Sequence, residues 1–180
     1  MILDGVGLRG LDHVGLTVPD LDEALAYFTD VFGAVEVLRH GAYAPRPIVN
    51  EVNFARDREV RVAGIAMIRV GDQLIELLEY VSAASAGSWP STSARGGHHL
   101  SFYVDDLDAA VDRLRSAGVD VLGEPLDMGG AEAGPGNRFV YLRAPWGLFL
   151  ELVTYPDGKA NGQLPPSPRN APTSDDIPPV

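Results

Sequence analysis

Apolar and polar positions alternate along several short runs of the chain and recur at helical spacing between them. In "HVGLTV" (13–18), Val14, Leu16 and Val18 fall on one side of an extended strand, and His13, Gly15 and Thr17 on the other. The pattern then changes period. Leu21, Ala24, Leu25, Phe28 and Phe32 make a helical stripe, with Asp20 placed as N-cap, Glu23 in capping-box position and Gly33 at the close. The same order returns at 99–118. Leu100, Phe102 and Val104 oppose His99, Ser101 and Tyr103, and Asp106 precedes a stripe of Leu107, Ala110, Val111 and Leu114 that ends near Gly118. One face of each strand is predicted to pack on its helix, while the other lines an open space.

Setting His13 on His99 keeps apolar positions on apolar ones down the strand, whereas setting it on His98 inverts them. His99 is therefore the matched histidine, and His98 is expected to be partly exposed at the strand's start. A second pair lies downstream. "MIRVGDQLIELLEY" (67–80) aligns without gaps on "LRAPWGLFLELVTY" (142–155), setting Glu76 on Glu151 and Tyr80 on Tyr155. Each copy thus reads as strand, helix, then two or three strands ending on a glutamate. "VSAASAGSWPSTSARGG" (81–97) is a small-residue linker between the copies.

Composition narrows the classes. With 180 residues, 46% of them hydrophobic, the chain can bury a sizeable core. No apolar stretch approaches the roughly 20 residues of a membrane span, and the first residues show no secretory signal. The absence of cysteine excludes thiolate catalysis and cysteine-held metal, and fits a cytoplasmic protein. A net charge of −11 argues against nucleic acid or an anionic membrane as partner and leaves a small molecule. The last stretch (155–180) holds seven of the fourteen prolines and reads as a tail from about 157, without a core of its own.

Two copies related by rotation would bring His13, Glu76, His99 and Glu151 together. Carboxylates on buried strand faces are costly unless paired or bound to a cation. Two imidazoles and a divalent ion resolve that cost. A nitrogen and oxygen donor set suits Zn, Ni, Co, Mn or Fe(II). Glu79, three residues on, is the competing inward carboxylate in "LIELLEY".

These motifs together resemble the vicinal oxygen chelate superfamily, which includes glyoxalase I, methylmalonyl-CoA epimerase, extradiol dioxygenases and bleomycin- or fosfomycin-resistance proteins. The resemblance covers roughly residues 10–156. It implies an α+β fold, a single domain over 1–156 built of two βαβββ modules (about 10–80 and 98–156). Their curved mixed sheets form a cup with the helices outside. The superfamily's ligand positions fall on His13, Glu76, His99 and Glu151. "LDHVGLTVPDLDEALAYF", "ELLEY", "GGHHLSFYVDDLDAAV" and "GEP" are most similar to the methylmalonyl-CoA epimerase branch, where the second of two adjacent histidines is the ligand. The chain departs from that branch in three places. Glu76 stands where characterised epimerases often have an amide, and "APWG" (144–147) replaces Asp-Pro-x-Gly. The position of a second catalytic carboxylate reads Val60 when counted without gaps, with Glu59 beside it and Glu51 further off; a one-residue bulge would restore Glu59.

The resemblance implies a metal-dependent isomerase, epimerase or lyase acting through a metal-stabilised enolate or enediolate, with Glu151 or Glu76 moving the proton. The rivals are a glyoxalase I-type lyase, an extradiol ring-cleaving dioxygenase and a non-catalytic binding or resistance protein. Homodimers are usual in the superfamily. Arg61, Tyr43, Arg138, Tyr141, Arg143 and Trp146 are the expected substrate contacts. The glycine-rich segment 123–137 is either a mobile lid or a long hairpin connection.

Overall fold

The computed structural model describes residues 10–42, 60–81 and 89–166. They belong to two units that divide between residues 86 and 87. Tyr43, Glu51 and Glu59 lie outside the described residues, as do 82–88 of the linker and 167–180 of the tail.

The first unit runs β1 (Val14–Val18), α1 (Leu21–Phe32), β2 (Val35–His40), β3 (Arg61–Val70) and β4 (Gln73–Val81). Its sheet has the order β1-β4-β3-β2, with β1 parallel to β4 and the other pairs antiparallel. The second unit repeats the plan with β5 (His99–Tyr103), α2 (Leu107–Ser116), β6 (Asp120–Asp127), β7 (Arg138–Arg143) and β8 (Phe149–Thr154). Its order is β5-β8-β7-β6, and β5 is parallel to β8. Three strands follow each helix, so both copies are βαβββ modules of mixed sheet.

The helices form where the stripes predicted them. Asp20 accepts a hydrogen bond from the Glu23 N–H at 2.9 Å, and Asp106 one from the Ala109 N–H at 2.9 Å. Glu79 of β4 accepts from the Leu21 N–H at 3.0 Å, placing a second acidic group at the positive end of α1. Gly33 takes the left-handed conformation that ends α1, with a φ of 63°. Leu21, Ala24, Leu25 and Phe28 are buried from α1, and Leu107, Ala110, Val111 and Leu114 from α2. They pack on the strand faces that carry Leu16, Ile68 and Leu77 in one unit and Val140, Leu142 and Leu150 in the other. Each such side chain, buried, contributes about 1.5–3 kcal/mol. The approach of α1 is close: a Cβ on Gly64 would sit 2.7 Å from Cδ2 of Leu21. Asp20→Ala and Asp106→Ala are each expected to cost about 1 kcal/mol. This should appear as a lower urea midpoint at unchanged slope; an unmoved midpoint would deny the caps their role.

One of the two readings of 123–137 is met, and one sequence expectation is overturned. The segment after β6 is a hairpin connection with one short 3-10 turn, Gly130–Glu132. The chain after β8, expected to be tail from 157, is docked on that connection as far as the described residues go. The Ala160 N–H donates to Ala133 O at 3.2 Å and the Asn161 N–H to Ala131 O at 3.0 Å. Asn137, 1% exposed, donates from Nδ2 to Glu132 O at 2.8 Å and to Gly158 O at 2.9 Å. Lys159 completes the strap with an ion pair to Glu132 at 2.5 Å. Backbone groups of the two segments satisfy one another, which composition alone cannot reveal.

Candidate metal and substrate site

The alternation along β4 separates its two carboxylates. Ile75, Leu77 and Glu79 share the helix face, where Glu79 caps α1. Glu76 points the other way and pairs in register with Gly15. A Cβ on Gly15 would lie 3.6 Å from Oε2 of Glu76, so the missing side chain leaves room beside the carboxylate. His13 precedes β1 on this face, and its Nε2 lies 3.5 Å from Oε2 of Glu76.

The second unit holds the same arrangement. His99 and Ser101 of β5 pair with Phe149 and Glu151 of β8, on the face opposite buried Leu150 and Leu152. Nε2 of His99 lies 3.5 Å from Oε2 of Glu151. His98 is exposed at the strand's start, with Nδ1 3.0 Å from Gly96 O and its ring against Trp89. The parity of the doubled histidine is therefore as expected.

The spacing within each pair tests the fit to an ion. A charge-assisted hydrogen bond between imidazole and carboxylate would close to about 2.7–2.9 Å. Two ligand atoms each about 2.1 Å from one tetrahedral ion stand about 3.4 Å apart. The observed 3.5 Å in both pairs matches the second case. His13 adds chemical evidence. Its Nδ1 donates to Asp12 Oδ2 at 2.7 Å, which leaves Nε2 of the neutral ring as a lone pair facing a carboxylate oxygen. Two acceptors turned toward each other are stable around a cation, and a carboxylate behind the histidine is a common support for a metal ligand. The Asp12 hydrogen bond, and after it the Glu76 charge, raise the His13 pKa above its ordinary value. Within each unit, among the described residues, no third acidic or imidazole group gathers with the pair as an ion-holding cluster. The donors fit a divalent ion two by two.

Tyr141 joins the second pair. It is the cross-strand partner of Glu151, and its ring meets His99 edge-on at 5.4 Å between centroids. Burial first, and then the Glu151 carboxylate, push its phenol above the ordinary range and keep it protonated. Further along this face the space closes. Val153, Met128 and Tyr155 form a small buried cluster with Tyr103 and Phe139, so the face is not open along its whole length.

The remaining expected contacts are dispersed. Arg138 lies on the helix face, where its guanidinium bonds both oxygens of Asp108 at 3.0 and 2.8 Å. Its partner is on α2, so it is turned from the face that carries Glu151. Arg143 is on the Glu151 face, but Asp120 accepts from its Nε at 2.9 Å and its Nη2 at 2.6 Å. Arg61 is exposed at the start of β3, and Trp146 is half-buried in the turn between β7 and β8. Two residues of these faces were not anticipated. Asp12 is adjacent to His13 in sequence, and that adjacency was the available signal. Arg69 interrupts the alternation Ile65, Met67, Arg69 as the one charged member of that set.

Comparison with known proteins places these features in a family. The profile of the Glyoxalase/Bleomycin resistance protein/Dioxygenase superfamily matches residues 10–152. The chain is 38% identical to a 2-epi-5-epi-valiolone epimerase from Actinomyces sp over 87% of its length and 86% of that protein. It is 32% identical to an ethylmalonyl-CoA/methylmalonyl-CoA epimerase from Cereibacter sphaeroides, covering 79% of this chain and 95% of that one. Among solved structures, a glyoxalase family protein from Bacillus cereus superposes with a TM-score of 0.64 at 23% identity, over 86% of this chain and 97% of that one. The profile spans both modules and both histidine–glutamate pairs, and the chain belongs to the Glyoxalase/Bleomycin resistance protein/Dioxygenase superfamily.

Proposed function

We propose that this chain is a metal-dependent epimerase that moves a proton on the carbon beside a carbonyl of a small oxygenated substrate. The observation that carries the proposal is the duplicated pair, His Nε2 and Glu Oε2 at 3.5 Å, built identically in each module. Relatives at 38% and 32% identity that are named epimerases support the reaction class. His13 with Glu76, and His99 with Glu151, are the groups that would hold a divalent ion. Bound there, the ion supplies Lewis-acid stabilisation of the negative charge that develops on the substrate oxygen when the neighbouring C–H proton leaves.

The chain's own groups do the rest. Asp12 fixes the His13 ring so that Nε2 presents its lone pair. Epimerisation takes a proton from one face of the carbon and returns one to the other, and the carboxylates of Glu76 and Glu151 are the groups assigned to those transfers. Tyr141, kept protonated beside Glu151, is a hydrogen-bond donor for a substrate oxygen or for that carboxylate. A one-residue bulge in β3, between Val62 and Gly64, supports counting one position further back than Val60 for an additional base, to Glu59, which lies outside the described residues.

The test is proton exchange in deuterated water. Chain reconstituted separately with Zn, Ni, Co, Mn or Fe(II) is incubated with methylmalonyl-CoA or with 2-epi-5-epi-valiolone. The expected result is one bound ion per chain and deuterium incorporation beside the carbonyl, without oxygen uptake. Substrate turnover that consumes oxygen, or an absence of exchange with every ion, overturns the proposal.

A further inference from the structure

Arg69 presents a cation that no acidic group among the described residues answers. It pairs in register with Leu74 on one side and Val35 on the other. Its neighbours Ala66 and Ile68 are fully buried toward the helix, whereas Met67, two residues back on Arg69's own face, is the cross-strand partner of Glu76. Arg69 is thus a diagonal neighbour of Glu76 on one sheet face, about 7–8 Å away between Cα atoms. Its Nε and Nη2 are both buried and meet no hydrogen-bonding partner among the described residues. Arg69 as a whole is half-buried, but this edge of its guanidinium is withdrawn from water, and buried donors are costly until an acceptor meets them.

The second module contains its own control. Phe149 stands two residues before Glu151 as Leu74 stands two before Glu76, and the cross-strand partner of Phe149 is Arg143. Arg143 therefore occupies the place of Arg69, one position off the gapless sequence alignment because the β7–β8 turn is one residue longer than the β3–β4 turn. On its other side it pairs with Asp120, where Arg69 has Val35. Asp120 accepts from Nε and Nη2 of Arg143, the two atoms left without a partner in Arg69. The same cation stands at the same register in both modules, and among the described residues only the first lacks the carboxylate.

We propose that the Nε–Nη2 edge of Arg69 binds a carboxylate group carried by the substrate, beside Glu76, and so selects acidic substrates over neutral ones. Placing that carboxylate on the reacting molecule rests on the epimerase assignment; the anion site itself does not. A carboxylate oxygen can accept from both nitrogens of that edge at once, as Asp120 Oδ2 accepts from Nε and Nη2 of Arg143. The proposal favours a substrate of the malonyl type over an uncharged cyclitol.

The experiment measures binding of malonate, and separately of inorganic phosphate, to the full-length chain by calorimetry. It is run with a chelator present, so that failure of the metal assignment does not affect it, and again after zinc addition. Arg69→Ala and Val35→Asp, the latter supplying an internal carboxylate, are each expected to weaken malonate binding about 10- to 100-fold. Arg69→Lys should retain part of it, and phosphate should bind more weakly than malonate. Wild-type chain that binds no malonate, or equal binding in wild type and Arg69→Ala, overturns the proposal, as does phosphate binding tighter than malonate. If Val35→Asp fails to fold, the Ala and Lys variants decide between these outcomes.

Discussion

Glu151→Gln is expected to lower α-proton exchange about 10²–10⁴-fold while leaving the melting transition in place. The amide keeps the size of the side chain and removes both its charge and its capacity to take a proton. Glu151 is only partly exposed, lies 3.5 Å from His99 and faces Tyr141 across the strands, so no solvent carboxylate replaces it cheaply. Glu76→Gln tests the other half of the duplicated pair. The Glu76 side chain is more exposed than that of Glu151, 25% against 14%, so a milder loss is expected there than for Glu151→Gln. Exchange is read by mass spectrometry and ion content by elemental analysis on the same samples. Glu151→Gln within threefold of wild type in both would show that this pair is not the working centre.

Asn137→Ala carries the largest expected effect on stability. Its Nδ2 serves two backbone carbonyls, Glu132 O and Gly158 O, in a site where the residue is 1% exposed. Removing the amide leaves those acceptors without a donor, a loss of about 2–4 kcal/mol. The expected reading is a lower urea midpoint and earlier proteolysis near residues 155–163. Asn137→Asp is expected to cost at least as much, because it turns acceptors toward carbonyl oxygens. A change below about 0.5 kcal/mol in both variants would mean that the strap is held by its other contacts.

The two arginines paired within the second module show why an arginine's role is hard to judge from sequence. Arg138 and Arg143 look like free cations in "NRFVYLR". Their partners Asp108 and Asp120 lie 30 and 23 residues away and arrive only through helix packing and strand register. Arg69 has the reverse history: its charge breaks the alternation of β3, but its lack of a partner among the described residues follows from Val35 standing across from it.

The sequence by itself determined the strands, the helices and their caps, the duplication, and the choice of His99 over His98. All of these are periodic or local, and the periods of 2 and 3.6 residues are readable without knowing what lies opposite. Only the tertiary structure decided that Glu76 faces the histidine while Glu79 caps a helix, that residues 157–163 are strapped to the β6–β7 connection, and which cations are already neutralised. Each of these depends on which strand or segment lies alongside. Register brings together residues far apart in the chain, and one residue of slip would reverse every face.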